Sequence, residues 1–368
     1  MPAEKLRVAD VLAALEERFP AQWAEPWDRV GLAVGDHGAP VRSVLVTLDA
    51  TAASVRRAAE QGHDLLLTHH PLSLSPPSTL TPRSAPAFFA AVREGVSVAA
   101  FHTNLDRAPE GAESFPRTLG LRIVRPLERA EQDVDRIVTY VPDSAVAAVV
   151  DAAARAGAGR IGEYERCAFV NDGRGMFEPL EGARPVSSAA EGGAPETRVE
   201  MVAPRAASGA VLAAIRDAHP YEEPVVIATE GRLARGAARL GRLCVPESAM
   251  TLSSLATLVA TRLGVEPRVW GDPERPVANI AVGNGSVGGL VPDAIAAGAD
   301  VLVGGEVRYH GATGALEAGC AVIEAGHDAS EWPLVRVLGD AARAAVADSG
   351  VVVTVEEPVV AWWTAKGR

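Results

Sequence analysis

The sequence predicts an α/β protein in which two similar α/β lobes, residues 1–132 and 233–368, flank a segment of different grammar, residues 133–232. Three observations predict it. Short apolar runs alternate with Ala-rich helical stretches, as buried parallel strands and their crossover helices do. A passage near residue 61 recurs in kind near residue 297, the mark of a duplicated unit. The middle segment has its own order of strands and helices.

Taken in order, the apolar positions from Val8 to Phe19 fit an amphipathic helix, followed by a turn at Trp27-Asp28-Arg29-Val30-Gly31. A strand, Ser43 to Leu48, a helix around Ser54 to Gln61 ended by Gly62, and a second strand, Asp64 to Thr68, make a βαβ unit. His69-His70-Pro71 then falls at the carboxyl end of a strand, the edge of an open α/β sheet where ligands bind. Gln61-Gly-His-Asp-Leu-Leu-Leu-Thr-His-His matches Ala297-Gly-Ala-Asp-Val-Leu-Val-Gly-Gly-Glu in pattern. Each copy continues into a helix, a glycine (Gly95, Gly319), a strand and a His-x-x-x-acid step, His102 to Asp106 and His327 to Glu331.

The middle segment reads as strand (Ile137–Val141), helix (Asp143–Ala156), two strands (Arg160–Val170 and Gly175–Pro179), a loop at Ser187–Pro195, strand (Thr197–Val202), helix (Ala206–Ala218) and strand (Pro224–Thr229). The β-α-β-β-α-β order is the ferredoxin-like arrangement. The loop is too small and polar in composition to offset the entropy of ordering it.

Composition narrows the function. Of 368 residues, 48% are hydrophobic, enough for two or three cores. A formal charge of −12 repels phosphate backbones and anionic lipid surfaces, so neither nucleic acid nor membrane is an expected partner. The first ten residues lack an apolar stretch behind a basic start, and no apolar run reaches the ~18 residues of a membrane span, so a cytoplasmic location is expected. Cys167, Cys244 and Cys320 are too few and too scattered for a disulfide framework or a Cys-x-x-Cys zinc site.

Any metal must therefore rely on imidazoles and carboxylates. Five of the eight histidines, His69, His70, His102, His310 and His327, fall at strand ends or turns of the two lobes. The tandem pair His69-His70 suits two ions, since neighbouring strand residues point to opposite faces. His327 and Glu331, four apart in a helix, share one face, and Asp106 adds a hard oxygen. A pair of divalent ions lowers the pKa of water and clamps a leaving oxygen, as many hydrolases require. A strand-end histidine is also a common hydrogen-bonded structural residue, and His102 and His310 are assigned either supporting or proton-transfer roles. His37, His63 and His219 read as surface or turn residues. Gly283-Asn-Gly-Ser-Val-Gly288, after an apolar run, fits the glycine pattern of dinucleotide sites, but the crossover to Gly298 is short for that fold and the loop serves equally as a tight turn.

Together, Glu25-Pro-Trp-Asp-Arg-Val-Gly-Leu-Ala-Val-Gly35, Leu67-Thr-His-His-Pro-Leu72, His102-Thr-Asn-Leu-Asp106, Gly304-Gly-Glu-Val-Arg-Tyr-His310 and Gly326-His-Asp-Ala-Ser-Glu331 resemble the Nif-three-like family, whose members are named GTP cyclohydrolase 1 type 2 homologues. Gly159-Arg-Ile-Gly-Glu-Tyr-Glu-Arg-Cys167 and His219-Pro-Tyr-Glu-Glu-Pro224 resemble the inserted domain of its long members. The resemblance implies a discontinuous core of two lobes, an insert of the PII/CutA type and a toroidal homohexamer with metal pairs facing its interior. It implies that His69 and His70 bind one ion each, that Asp106 joins the ion of His70, that His327 joins that of His69, and that Glu331 bridges. The ions are divalent, two per subunit, with zinc, iron and manganese all compatible. The chain departs from the family pattern at Ser73-Leu-Ser-Pro-Pro77 and at Gly304-Gly-Glu306, where Thr-Gly-Asp is common; both bear on loop shape and substrate fit.

Two functions stay open. One is a metal-dependent hydrolase of a nucleotide or related small molecule; the other is a non-catalytic metal-handling or regulatory protein whose insert senses a ligand.

Overall fold

The computed structural model describes residues 6–162, 164–186 and 193–363, which divide into two compact units, Met1–Arg129 with Ala237–Arg368, and Ala130–Gly236. Helix α1 (Val8–Arg18) buries Val8, Val11, Leu12 and Leu15, the one-face spacing of an amphipathic helix. After it come β1 (Gly31–Val34), β2 (Ser43–Thr47), α2 (Ala52–Glu60), β3 (Leu65–Thr68), α3 (Pro86–Glu94), β4 (Ser97–Ala100), α4 (Thr103–Arg107), α5 (Pro109–Thr118) and β5 (Arg122–Pro126). Local chemistry sets several of these ends. Thr51 caps α2 by accepting from the Ser54 amide, and α3 starts on a proline and ends on Gly95 at φ +70°.

The second unit runs β6 (Glu131–Val141), α6 (Val146–Arg155), β7 (Ala168–Gly175), β8 (Ala194–Pro204), α7 (Ser208–Ala218) and β9 (Val226–Ala234). Its four strands lie in the order β7-β8-β6-β9, all pairs antiparallel, with side chains of both helices in one core. Two strands were expected, Arg160–Val170 and Gly175–Pro179; among the described residues of that stretch there is one, Ala168–Gly175. Gly157 and Gly159 stand at φ +108° and +73°, where a turn replaces extended chain. The expected loop Ser187–Pro195 lies outside the described residues through 192, and from Ala194 onward it is already strand. His219, expected at the surface or in a turn, is buried: its Nε2 donates to the Tyr140 carbonyl and its Nδ1 accepts from the Tyr221 amide.

The chain then returns to the first unit with β10 (Arg242–Val245), β11 (Met250–Thr251), α8 (Leu252–Leu263), β12 (Arg268–Trp270), β13 (Pro276–Val277), β14 (Ile280–Val282), α9 (Val291–Ala296), β15 (Val301–Gly304), α10 (Tyr309–Glu317), β16 (Ala321–Glu324), α11 (His327–Ala345) and β17 (Val352–Val355). Two sheets organise this unit. In β1-β4-β3-β2-β17, strands β2, β3 and β4 run parallel with β1 reversed at the edge. In β12-β16-β15-β14-β10-β5, strands β14, β15 and β16 run parallel with β12 reversed beside β16. Each sheet thus contains a run of three parallel strands with a reversed strand beside the last of them, in the same order along the chain; β17 adds a fourth parallel strand to the first sheet and β10 a second reversed neighbour to the second.

The halves are nevertheless not self-contained. Strand β17 pairs with β2 in the first sheet, and β5 pairs with β10 in the second. Helix α11 buries Leu334, Val335, Leu338 and Ala341 against the core of the first sheet, while Phe115 and Leu119 at α5 enter that of the second. The β5–β10 ladder continues through Leu127 N–H to the Gly241 carbonyl and Glu128 N–H to that of Leu240. No helix among the described residues is long and apolar enough to cross a membrane.

Leu338 is fully buried where α11 meets the first sheet. Leu338→Ala is expected to cost ~2–5 kcal/mol, seen as a lower urea midpoint. Val92→Ala, on the exposed side of α3, is expected to shift stability by no more than ~0.5 kcal/mol.

Candidate metal centre

The carboxyl ends of both parallel triplets converge on one place. From the first sheet come Asp49 after β2, His69 and His70 after β3, and Phe101 and His102 after β4, with Asp106 following in α4. From the second come Gly285 after β14, Glu306 after β15 and His327 after β16, where α11 begins. Glu331, one turn into α11, is 4% exposed and stands at the centre. Its Oε1 is 3.2 Å from His327 Nε2 and 3.7 Å from His69 Nε2; its Oε2 is 2.9 Å from His70 Nε2, too poorly aligned to form a hydrogen bond. Asp106 Oδ2 lies 3.8 Å from His69 Nε2.

Four imidazoles are held in the same way. Each Nδ1–H donates to a fixed acceptor: His69 to the Phe101 carbonyl at 3.0 Å, His70 to Asp49 at 2.8 Å, His102 to Asp28 at 2.7 Å and His327 to Glu306 at 3.3 Å. That choice of tautomer leaves Nε2 as the inward-facing donor atom, the arrangement in which imidazole binds metals. The four acceptors were not anticipated from sequence, although Asp28 and Glu306 sit inside recognised motifs. Nothing in the spacing of Asp49 or the Phe101 carbonyl distinguishes them from any residue that follows a strand.

The donor atoms form three overlapping groups that could hold an ion: His70, His327 and Glu331; His69, Asp106 and Glu331; and His69, His70 and His102. The pairing implied by the family resemblance is therefore reversed. His327 stands with His70, their rings 5.4 Å apart, and Asp106 stands with His69, because His69 is turned inward by its bond to Phe101 while His70 is held toward α11. His310, second residue of α10, is exposed beside Tyr309 and belongs to none of these groups among the described residues.

Buried polar atoms test whether a cation fits. His69 Nε2, Asp106 Oδ1 and Glu331 Oε2 are all buried without a hydrogen-bond partner, a costly state that a coordinated cation relieves. The protonation pattern points the same way. Burial opposes charge on Glu331, but His327, His69 and His70 outweigh it and hold the carboxyl well below its usual range. Burial likewise opposes a charged His70, yet Asp49 and Glu331 push it up to about 10; Glu331 is the main cause that raises His327 to about 9. Asp106 is raised, chiefly by burial. The pocket demands positive charge, supplied either by protons or by metal.

Gly285 gives the glycine motif its physical meaning. Its φ is +56°, and a Cβ there would stand 2.0 Å from Glu331 Oε1. Its amide donates to Ser330 Oγ and its carbonyl accepts from the amides of Gly305 and Glu306. The loop expected as a possible dinucleotide cradle is a wall against which Glu331 is packed.

A family model, Duf34/NIF3 (NGG1p interacting factor 3), matches residues 6–358. The chain belongs to this family. Among Duf34/NIF3 relatives, proteins named GTP cyclohydrolase 1 type 2 homolog from Mycobacterium leprae and Bacillus subtilis are 37% and 32% identical, the alignments covering 92% and 89% of this chain and 90% of each relative. A solved Bacillus cereus protein related to NIF3 superposes with a TM-score of 0.67 at 27% identity, over 99% of this chain and all of that one. Staphylococcus aureus protein SA1388 gives 0.67 at 25% identity, over 98% and 99%.

Two outcomes are expected. Gly285→Ala displaces the Glu331 carboxylate and lowers bound metal severalfold by elemental analysis while the far-ultraviolet spectrum is kept. Since His70 and His327 lie above neutrality, divalent-ion uptake at pH 7.5 releases about two protons, read from the buffer dependence of the binding enthalpy. Affinity correspondingly weakens as pH falls.

Proposed function

We propose that the protein is a metal-dependent hydrolase of a nucleotide or related small molecule, working with two divalent ions per subunit. The observation that carries this reading is the convergence of four oriented imidazoles, the buried Glu331 carboxylate and that of Asp106 at the joint carboxyl edge of two parallel strand triplets. His70, His327 and Glu331 would hold one ion, His69, Asp106 and Glu331 the other, with zinc, iron and manganese all suited to such donors. Bound divalent ions supply Lewis-acid polarisation of a phosphoryl or carbonyl oxygen and of water. The chain's own residues do the rest. His102 Nε2 faces the same space and, with Nδ1 fixed on Asp28, is placed to accept a proton from an attacking water and return it to a leaving oxygen. The relatives' printed name supports a nucleotide as the substrate class.

The same reading extends to the whole molecule: two core halves derived from one duplicated α/β unit, an insert of ferredoxin-like, PII/CutA-like type, a homohexamer, and a cytoplasmic location with neither nucleic acid nor membrane as partner. The β7-β8-β6-β9 order supports the insert's type, and the family resemblance supports the hexamer. One observation favours the metal-handling alternative. The His327 side chain is 39% exposed, so an ion beside it has a path to solvent.

His70→Ala and Glu331→Ala are expected to lose bound metal and to lower turnover on a nucleotide panel by at least about a hundredfold. Full turnover by metal-free wild-type protein would remove the proposal. Rapid metal exchange without turnover across the panel would identify a metal-handling protein.

A further inference from the structure

The imidazoles of His102, His70 and His327 form a row, with ring centroids 5.7 Å and 5.4 Å apart. An exposed indole stands near each end. Trp27, 54% exposed, meets the His102 ring edge-on at 6.0 Å. Trp362, also 54% exposed, donates from Nε1 to Asp328, the residue after His327.

Both indoles are held by the chain around them. The Trp27 loop is tied down on either side: Glu25 N–H donates to Thr103 Oγ1, and the wholly buried Asp28 side chain accepts from His102 Nδ1 and from the Thr103 amide and hydroxyl. Trp362 lies on a strap anchored at its start, where Glu356 N–H donates to the Val46 carbonyl and the Glu356 carboxylate accepts from Thr47 and Arg57. The strap then reaches Asp328 in the first turn of α11, so two anchored segments each carry a half-exposed indole beside the candidate ligands. A held indole is a platform on which the planar face of a nucleobase stacks. Divalent ions held by the histidines and carboxylates would take the anionic part of a ligand, which leaves the indoles for its ring.

Resting on the proposed function for the site, the geometry points to a substrate with a planar aromatic heterocycle, a purine nucleotide in class, whose ring stacks on Trp27 or Trp362 while its phosphates or ring oxygens face the histidine row. Trp27 and Trp362 are then specificity-determining residues.

Calorimetry with manganese-loaded full-length protein tests this with GTP, ATP and inorganic triphosphate as probes. The wild type is expected to bind GTP or ATP at least about tenfold more tightly than triphosphate, and Trp27→Ala or Trp362→Ala to remove that advantage, as loss of one base–aromatic stack does. Triphosphate affinity and metal content stay unchanged, and Trp27→Phe and Trp362→Phe recover most of the preference. Equal affinity of the wild type for all three probes overturns the proposal, as does a loss that falls equally on GTP and triphosphate, or a change in oligomeric mass with the purine preference intact. Because the readout is binding, absence of turnover would count against the hydrolase reading and leave this test standing.

Discussion

Everything at the centre turns on a carboxylate that has been taken out of water. Glu331 is buried, and the desolvation of its charge is offset by three imidazoles arriving from the ends of two strands, His69 and His70 after β3 and His327 after β16. Such a group is stable only while its compensators stay in place, so the positions of His69, His70 and His327 are set by electrostatics as much as by packing. The loops that carry them inherit the constraint. Gly285 has no side chain because the carboxylate occupies the volume, and each imidazole has a dedicated acceptor behind it because a rotated ring would leave the charge bare.

The scaffold explains how residues so far apart in sequence meet. Parallel strands with crossover helices gather their carboxyl ends along one edge, and two such edges, brought face to face by the exchange of α11 and β17 for α5 and β5, double the number of strand ends around a point. Helix α11 serves both purposes. Its apolar face fills the first sheet's core through Leu334 and Leu338, while its first turn delivers His327 and Glu331. Stability and site geometry therefore share one element, and strain in either is felt by the other.

Much of this was legible in the sequence, and the reasons for the remainder are physical. The apolar runs at Val44–Thr47 and Leu65–Thr68 announce buried parallel strands because short runs of branched side chains on either side of an Ala-rich helix fit a sheet covered on both faces. The i, i+4 step from His327 to Glu331 likewise specifies one helix face. The acceptors at Asp49 and Phe101 were invisible, since their role comes from where a loop lands rather than from residue type. Which histidine stands with which carboxylate was also beyond sequence: it depends on ring rotations of His69 and His70, fixed by contacts to Phe101 and Asp49. The exchange of β5 and β17 leaves no periodic signal, because a strand reads the same whichever sheet it joins.

The ladder between β5 and β10 fixes where the chain leaves the first unit and where it rejoins it. Leu127 and Glu128 on one side are bonded to Gly241 and Leu240 on the other, so the polypeptide departs from and re-enters the first unit at neighbouring rungs. A junction of that form is topologically a hairpin tip. Whatever occupies it, a few residues or an entire folded module, leaves the ends at the same separation, and lengthening the excursion adds only a slowly growing entropic cost. Acquisition, loss or replacement of the module is thus open to evolution without disturbing a single strand around the histidines.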